Sequence, residues 1–421
     1  MSAPRLVCPA CGGQFAALSP RTQCPCGGLL DVEHSPSVSG RTLRRRFDRR
    51  RAAPAEAGQG SGVWRFRELV LPGRGPLVTH PEGNTPLYRR ERIDRWVGLE
   101  DIALKHEGEN PTGSFKDRGM TVAVTHALRA GASAVACAST GNTSASMAAY
   151  AAQAGLPALV LVPAGKVAAG KLAQALAYGA RTLLVRGDFD ACLRLVREAS
   201  DRLGVALLNS INPWRIEGQK TIVWEVLQQR GWEPPDWVVV PAGNLGNTAA
   251  FGKALREAMG LGLIRRLPRV VSVQARGASP FYRSFRVGFS RRFRLRARTV
   301  ATAIRIGDPA SHDRAVRAIR ETRGLVTAVS DREILEAKAV VDASGLGCEP
   351  ASAAAVAGVR RLVRAGVIRR RDSVVAVLTG HVLKDPEAVM AFHARRGPHR
   401  NPPIAIEACL SAVERFLRRR G

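Results

Sequence analysis

Four loops and one cysteine cluster carry residue types able to do chemistry. The first loop is Asn110-Pro111-Thr112-Gly113-Ser114-Phe115-Lys116-Asp117-Arg118-Gly119. Ser114, followed three residues later by Asp117, predicts a helix-capping box with Lys116 in the first turn of the helix. A cationic lysine at the positive end of a helix dipole is electrostatically misplaced. Its amine suits that place when neutral, as a nucleophile or Schiff-base former. An exposed surface lysine is the plain alternative for this loop taken alone. The second loop, Ser139-Thr140-Gly141-Asn142-Thr143-Ser144, offers hydroxyls and helix-start amides to an anion, or is an ordinary helix cap. The third, Pro241-Ala242-Gly243-Asn244-Leu245-Gly246-Asn247, has glycines that let backbone close around a phosphate at a helix start. The fourth, Leu378-Thr379-Gly380-His381, sets a hydroxyl at the end of a strand, where a plain polar turn would serve as well. Together, a Schiff-base lysine and a phosphate-cradling loop are what pyridoxal phosphate needs.

The cysteine cluster is Cys8, Cys11, Cys24 and Cys26, half of the eight cysteines in the chain. Two Gly-bearing turns, Cys-x2-Cys and Cys-x-Cys, are separated by twelve residues. Four thiolates so arranged predict a structural tetrahedral zinc with no open position for catalysis. Four reduced, unliganded thiols are the alternative. Cys137, Cys192, Cys348 and Cys409 stand singly and are expected in the core.

The elements that must position these loops are short apolar runs alternating with amphipathic segments. Strands are expected at 134–138, 158–162, 182–185, 205–208, 237–240, 270–274 and 374–378. Helices are expected at 143–154, 167–178, 189–202 and 248–259. Such alternation predicts an α/β fold with parallel sheets covered by helices on both faces. Ligands of such sheets sit at the carboxyl ends of the strands, where the second, third and fourth loops fall. Residues 1–33 read as a zinc-ribbon-like module. Residues 34–62 read as a basic linker without periodicity, 63–395 as the catalytic region, and 396–421 as a basic C-terminal segment.

The chain has 421 residues, 45% of them hydrophobic and 24% charged, which is globular composition and excludes collagen or low-complexity classes. Lys and Arg number 64 against 35 Asp and Glu, a net charge of +29. The arginines are scattered, with runs such as Arg44-Arg45-Arg46, Arg49-Arg50-Arg51 and Arg418-Arg419-Arg420, and aromatics are only 5%. Scattered charge without a stacking platform disfavours nucleic acid; the field instead favours a small anionic substrate. No run reaches the roughly 18–20 apolar residues of a membrane span. The start has no signal-peptide core, so a cytoplasmic protein is expected.

At this point the sequence resembles the threonine synthases, pyridoxal-phosphate enzymes of fold type II (tryptophan synthase β-like). The resemblance runs from the cysteine cluster to about residue 386. It rests on Glu82-Gly83-Asn84-Thr85-Pro86-Leu87, the four loops, the stretch Asn212-Pro213-Trp214-Arg215 to Thr221, Ala303 to Pro309, Glu349-Pro350-Ala351-Ser352, and Thr379 to Pro386. Val382 stands where the family commonly has Gly. The resemblance implies two open parallel-sheet domains, the smaller (about 125–215) inserted in the larger, and a homodimer. It implies that Lys116 carries the cofactor as a Schiff base and that Asn142 donates to the phenolic oxygen. Gly243, Asn244, Leu245, Gly246 and Asn247 would hold the cofactor phosphate, and Thr379 would face the pyridine nitrogen. The substrate implied is O-phospho-L-homoserine, its phosphate met by Ser139, Thr140, Asn209 and Arg215. The reaction is loss of phosphate followed by addition of water, giving threonine. Cysteate synthase and threonine/serine dehydratase are the competing readings within the class. A zinc-ribbon nucleic-acid binder with an inactive body is the competing reading outside it.

Overall fold

The computed structural model describes residues 4–52, 60–165, 169–394 and 398–418. The N-terminal module is a small antiparallel sheet, β1 (Arg5–Val7) flanked by β2 (Gln14–Ala16) and β3 (Asp31–Glu33). Its turns close through Gly12 N–H to Cys8 C=O and Gly27 N–H to Cys24 C=O, each 2.8 Å. Gly12 (φ +76°) and Gly27 (φ +86°) hold the left-handed conformation that these turns require.

The expectation of a linker over 34–62 is corrected: Gly40–Ala52 is a helix. Its core face is only Leu43 and Phe47, one turn apart and fully buried. Phe47 packs edge-on against Phe66 and Trp224, with ring centroids 5.0 and 5.8 Å away. Arg50 forks onto Glu68 with two 2.6 Å contacts. Residues 53–59 of that stretch lie outside the described residues, as do 167 and 168 of the helix expected at 167–178, found at Ala169–Ala177. In the expected C-terminal segment a helix runs Leu410–Arg418; Arg419 and Arg420 lie outside the described residues. Cys137, Cys192 and Cys348 are buried as expected, but Cys409 is exposed.

Two larger sheets follow. One has six strands: β4 (Leu87–Tyr88), β5 (Ile102–His106), β10 (Trp237–Pro241), β11 (Arg269–Ala275), β12 (Leu325–Val329) and β13 (Val374–Leu378). Their order is β12-β11-β10-β13-β5-β4, parallel except at the β4 edge. The other has four parallel strands: β6 (Ala134–Ala138), β7 (Ala158–Pro163), β8 (Arg181–Val185) and β9 (Val205–Leu207), in the order β8-β7-β6-β9. The Val-rich β10 and β13 are buried along their whole length, as parallel strands covered on both faces must be. From β10 the chain winds outward through β11 to β12, while β13 and β5 lie on its other side. The strand order therefore reverses between β10 and β13, and the loops after these two strands part there into a crevice.

Candidate active site

Lys116 opens the helix Lys116–Arg129. The loop before it is stitched to the end of β13. Phe115 N–H donates to Thr379 C=O at 3.0 Å, and His381 N–H donates to Gly113 C=O at 2.9 Å. The capping box is not formed as expected. Asp117 instead accepts from Thr112 N–H (2.7 Å), Thr112 Oγ1 (2.5 Å) and Ser146 Oγ (2.5 Å), because those donors are buried beside it. Burial pushes the Asp117 carboxyl up to about 6. Lys116 Nζ lies 4.1 Å from the centre of the Phe115 ring and has no hydrogen-bond acceptor among the described residues. Burial, then the nearby Arg215 guanidinium, bring its amine down to about 7. Near neutrality much of it is an unprotonated nucleophile.

Asn142 starts the helix Asn142–Ala154 at the carboxyl end of β6. Its Nδ2 donates to Glu349 Oε2 at 3.0 Å. Thr379 Oγ1 donates to Glu349 Oε1 at 3.3 Å and lies 3.0 Å from Ser352 Oγ. Glu349 thus joins the two residues expected at the phenolic oxygen and at the pyridine nitrogen of the cofactor. Burial pushes its carboxyl up. Glu349 was missing from the expected site. The available signal was an acid before Pro350 at the start of the helix Pro350–Arg364, on a segment already part of the resemblance.

The loop after β10 carries Leu245 at φ 65°, left-handed although not glycine, just before the helix Gly246–Gly260. No side chain caps that helix start. A Cβ on Gly243 would stand 3.0 Å from Ile304 Cα, so glycine lets the 303–306 segment close over the loop. Asn247 Oδ1 is buried without a partner. A left-handed residue before uncapped helix amides, with an unpaired amide side chain beside them, fits a phosphate.

Arg215 follows β9 on the short helix Pro213–Gln219, which Asn212 caps by accepting from Trp214 N–H at 3.0 Å. The guanidinium is 1% exposed. Nη1 donates to Leu208 C=O at 3.1 Å, and Nε is buried without a partner. Among the described residues no carboxylate pairs with it. Burial pulls it down to about 10. A buried cation without a counter-ion is costly, and an oxyanion ligand removes that cost. Asn209 pairs twice with the backbone of Ala138 (3.0 and 3.1 Å), fixing the start of the Ser139 loop and keeping one amide N–H free. Ser139 Oγ accepts from Gly141 N–H at 3.3 Å.

One cleft of about 790 Å³ between the two larger sheets is lined by Lys116, Ser139, Thr140, Asn142, Asn209, Arg215, Gly243 to Asn247 and Thr379, together with Glu349 and Lys384. Every residue expected to touch cofactor or substrate is therefore brought together. The four cysteines of the N-terminal module lie apart from it. Their sulfurs are all within 4.8 Å of one another, with Cys8–Cys26 and Cys11–Cys24 at 3.5 Å. Burial opposes ionisation of Cys8, but the amides of Cys11 and Ala10 bring its thiol down to about 7.

The α/β fold and the cleft, together with the similarities that follow, place the chain among the pyridoxal-phosphate-dependent lyases. A family model described as pyridoxal-phosphate dependent enzyme matches residues 78–380. A threonine synthase of Methanosarcina acetivorans is 46% identical over 98% of both chains, and one of Methanocaldococcus jannaschii is 42% identical over 98% of both. The crystal structure of threonine synthase from Escherichia coli superposes with a TM-score of 0.68 at 20% identity, covering 99% of this chain and 100% of that one, a likeness of fold. The chain belongs to the threonine synthase family.

Proposed function

We propose that the chain converts O-phospho-L-homoserine and water to L-threonine and orthophosphate, with the roles of its residues as follows. The observation that carries this reading is Arg215, a buried guanidinium without a counter-ion among the described residues, lining the same cleft as Lys116. When bound, pyridoxal phosphate supplies an electron sink for charge developing at the substrate Cα. Lys116 would hold it covalently, Asn142 would donate to its phenolic oxygen, and the amides of Gly243 to Asn247 would grip its phosphate. Thr379 would face the pyridine nitrogen with a hydroxyl, a partner that does not require that nitrogen to be protonated. Ser139, Thr140, Asn209 and Arg215 would receive the substrate phosphate. With the substrate amine in its place on the cofactor, the Lys116 amine would be free to take the Cα proton. A Cβ proton would then be lost and the γ-phosphate would depart, steadied by Arg215; Cγ takes up a proton, water adds at Cβ, and return of a proton to Cα gives threonine. Assaying phosphate release tests the substrate: turnover of O-phospho-L-homoserine far above that of O-phosphoserine is expected, and the reverse order overturns the reading.

The lowered basicity of Lys116 has a kinetic consequence. Only the neutral amine attacks an aldehyde. Uptake of pyridoxal phosphate by cofactor-free protein, followed by its absorption band, should therefore quicken with rising pH and level off above about 7. A rate still climbing toward the usual lysine range, roughly 10.4, would show an unperturbed amine.

The cysteine cluster supports one structural zinc, whose bond lengths of roughly 2.3 Å to sulfur suit sulfurs this close together. Metal analysis should return about one zinc per chain, and Cys24→Ser should lose it while keeping the cofactor band. Absence of zinc from the native protein contradicts this. The same proposal places the catalytic region at about 63–395, with the smaller sheet inserted at about 125–215, and the protein in the cytosol as a homodimer. Among the described residues no helix is long and apolar enough to cross a membrane.

A further inference from the structure

The helix Pro213–Gln219 has two faces with different neighbours. Arg215 and Gln219 line the cleft. Trp214 and Glu217 meet elements that touch the N-terminal module. Glu217 is fully buried, with His34 Nε2 at 2.5 Å and Lys220 Nζ at 2.6 Å on one carboxylate oxygen. Lys253 bonds the other oxygen and also donates to Val32 C=O in β3. Trp214 stacks on His126, with centroids 4.6 Å apart and planes 20° from parallel, and His126 Nε2 lies 2.9 Å from Ala17 C=O just beyond β2. His34, Glu217 and Glu257 are close enough to ligate a metal, but Lys220 and Lys253 already balance both carboxylates.

The opposite side of this helix is equally constrained. A Cβ on Gly218 would stand 1.7 Å from Arg118 C=O, so the helix lies directly against the one that begins with Lys116. Seven residues have little helical stability of their own. Among the described residues the Arg215 side chain bonds only Leu208 C=O, so its guanidinium goes where its helix is put.

We propose that the N-terminal module, through the contact of His34 with Glu217, positions the helix that presents Arg215 and so forms part of the substrate-phosphate site. Glu217 and His34 are positioning residues in this account, and it rests on the reading of Arg215 as the phosphate ligand. It also gives the cysteine-bearing module a function, since the segment running from β3 to His34 is the arm that reaches Glu217.

The experiment uses the full-length holoenzyme, with inorganic phosphate as the probe. His34→Ala should raise both the KM for O-phospho-L-homoserine and the inhibition constant of phosphate by about tenfold, because displacement of a binding group by about 1 Å is felt on this scale. The cofactor band and kcat should change little. His34→Gln, whose amide N–H can still reach Glu217, should restore most of the loss. Arg215→Ala serves as the reference. If it weakens phosphate and His34→Ala does not, the positioning role is wrong and the phosphate site stands. If Arg215→Ala leaves phosphate binding unchanged, the underlying reading is wrong and this inference with it. Equal losses of kcat, cofactor and phosphate binding in His34→Ala, without rescue by glutamine, would show a merely structural contact. Should His34→Ala fail to fold, Glu217→Gln takes its place, and unaltered phosphate binding in that variant also overturns the proposal.

Discussion

Lys116→Ala is expected to abolish threonine formation, by about 10⁴-fold or more, while leaving the fold intact. The size of the effect follows from the two jobs proposed for one amine: holding the cofactor and carrying the Cα proton. The intact fold follows from the surroundings of that amine. Among the described residues its Nζ has no hydrogen-bond acceptor to leave unpaired, and its charge is already disfavoured by burial and by Arg215. The loop geometry is held by backbone bonds from Phe115 to Thr379 and from His381 to Gly113, which alanine keeps. Circular dichroism should be unchanged and the covalent cofactor band lost. Appreciable turnover in the variant would sink the assignment of Lys116.

Arg215→Ala should act on the substrate and spare the cofactor. A charge-assisted contact to a buried phosphate is worth on the order of 2–5 kcal/mol, or roughly 30- to 5,000-fold in kcat/KM. In the proposed assignment the cofactor phosphate has its own loop, with the uncapped amides that open the helix Gly246–Gly260, on a different sheet. The absorption band should therefore persist. Inorganic phosphate should inhibit the variant much less than the wild type, because substrate and product phosphate use the same guanidinium. Unchanged kcat/KM would make Arg215 one more structural arginine in an Arg-rich chain. Loss of the band would mean that the two phosphate sites have been exchanged.

The loops were legible because glycine, hydroxyl and amide residues follow apolar runs, a pattern that needs no knowledge of tertiary contacts. The loops that carry Lys116, Asn142, Gly243 to Asn247 and Thr379 came from it, while the role of each residue came from the family resemblance, and all of them line one cleft. What spacing could not show was decided by partners distant in the chain. Strands β6 to β9 and β10 to β13 read alike, and only the order of pairing separates them into two sheets. The helix Gly40–Ala52 was hidden because Leu43 and Phe47 are its only strongly apolar anchors among many arginines, and their pocket is made by Phe66 and Trp224. Asp117 looked like a cap until Ser146, 29 residues away, supplied a buried donor. Glu349 gave no local sign of facing Asn142, and His34 none of facing Glu217, 183 residues away.

The central claim is that phosphate leaves by elimination and that the new hydroxyl comes from water added at Cβ. Turnover of O-phospho-L-homoserine in ¹⁸O-labelled water tests this most directly, with both products analysed by mass spectrometry. The account predicts one ¹⁸O in the hydroxyl of threonine and none newly incorporated in the orthophosphate, with the two products formed in equal amounts. Label in the orthophosphate, with homoserine as the organic product, would show simple phosphoester hydrolysis and contradict the account.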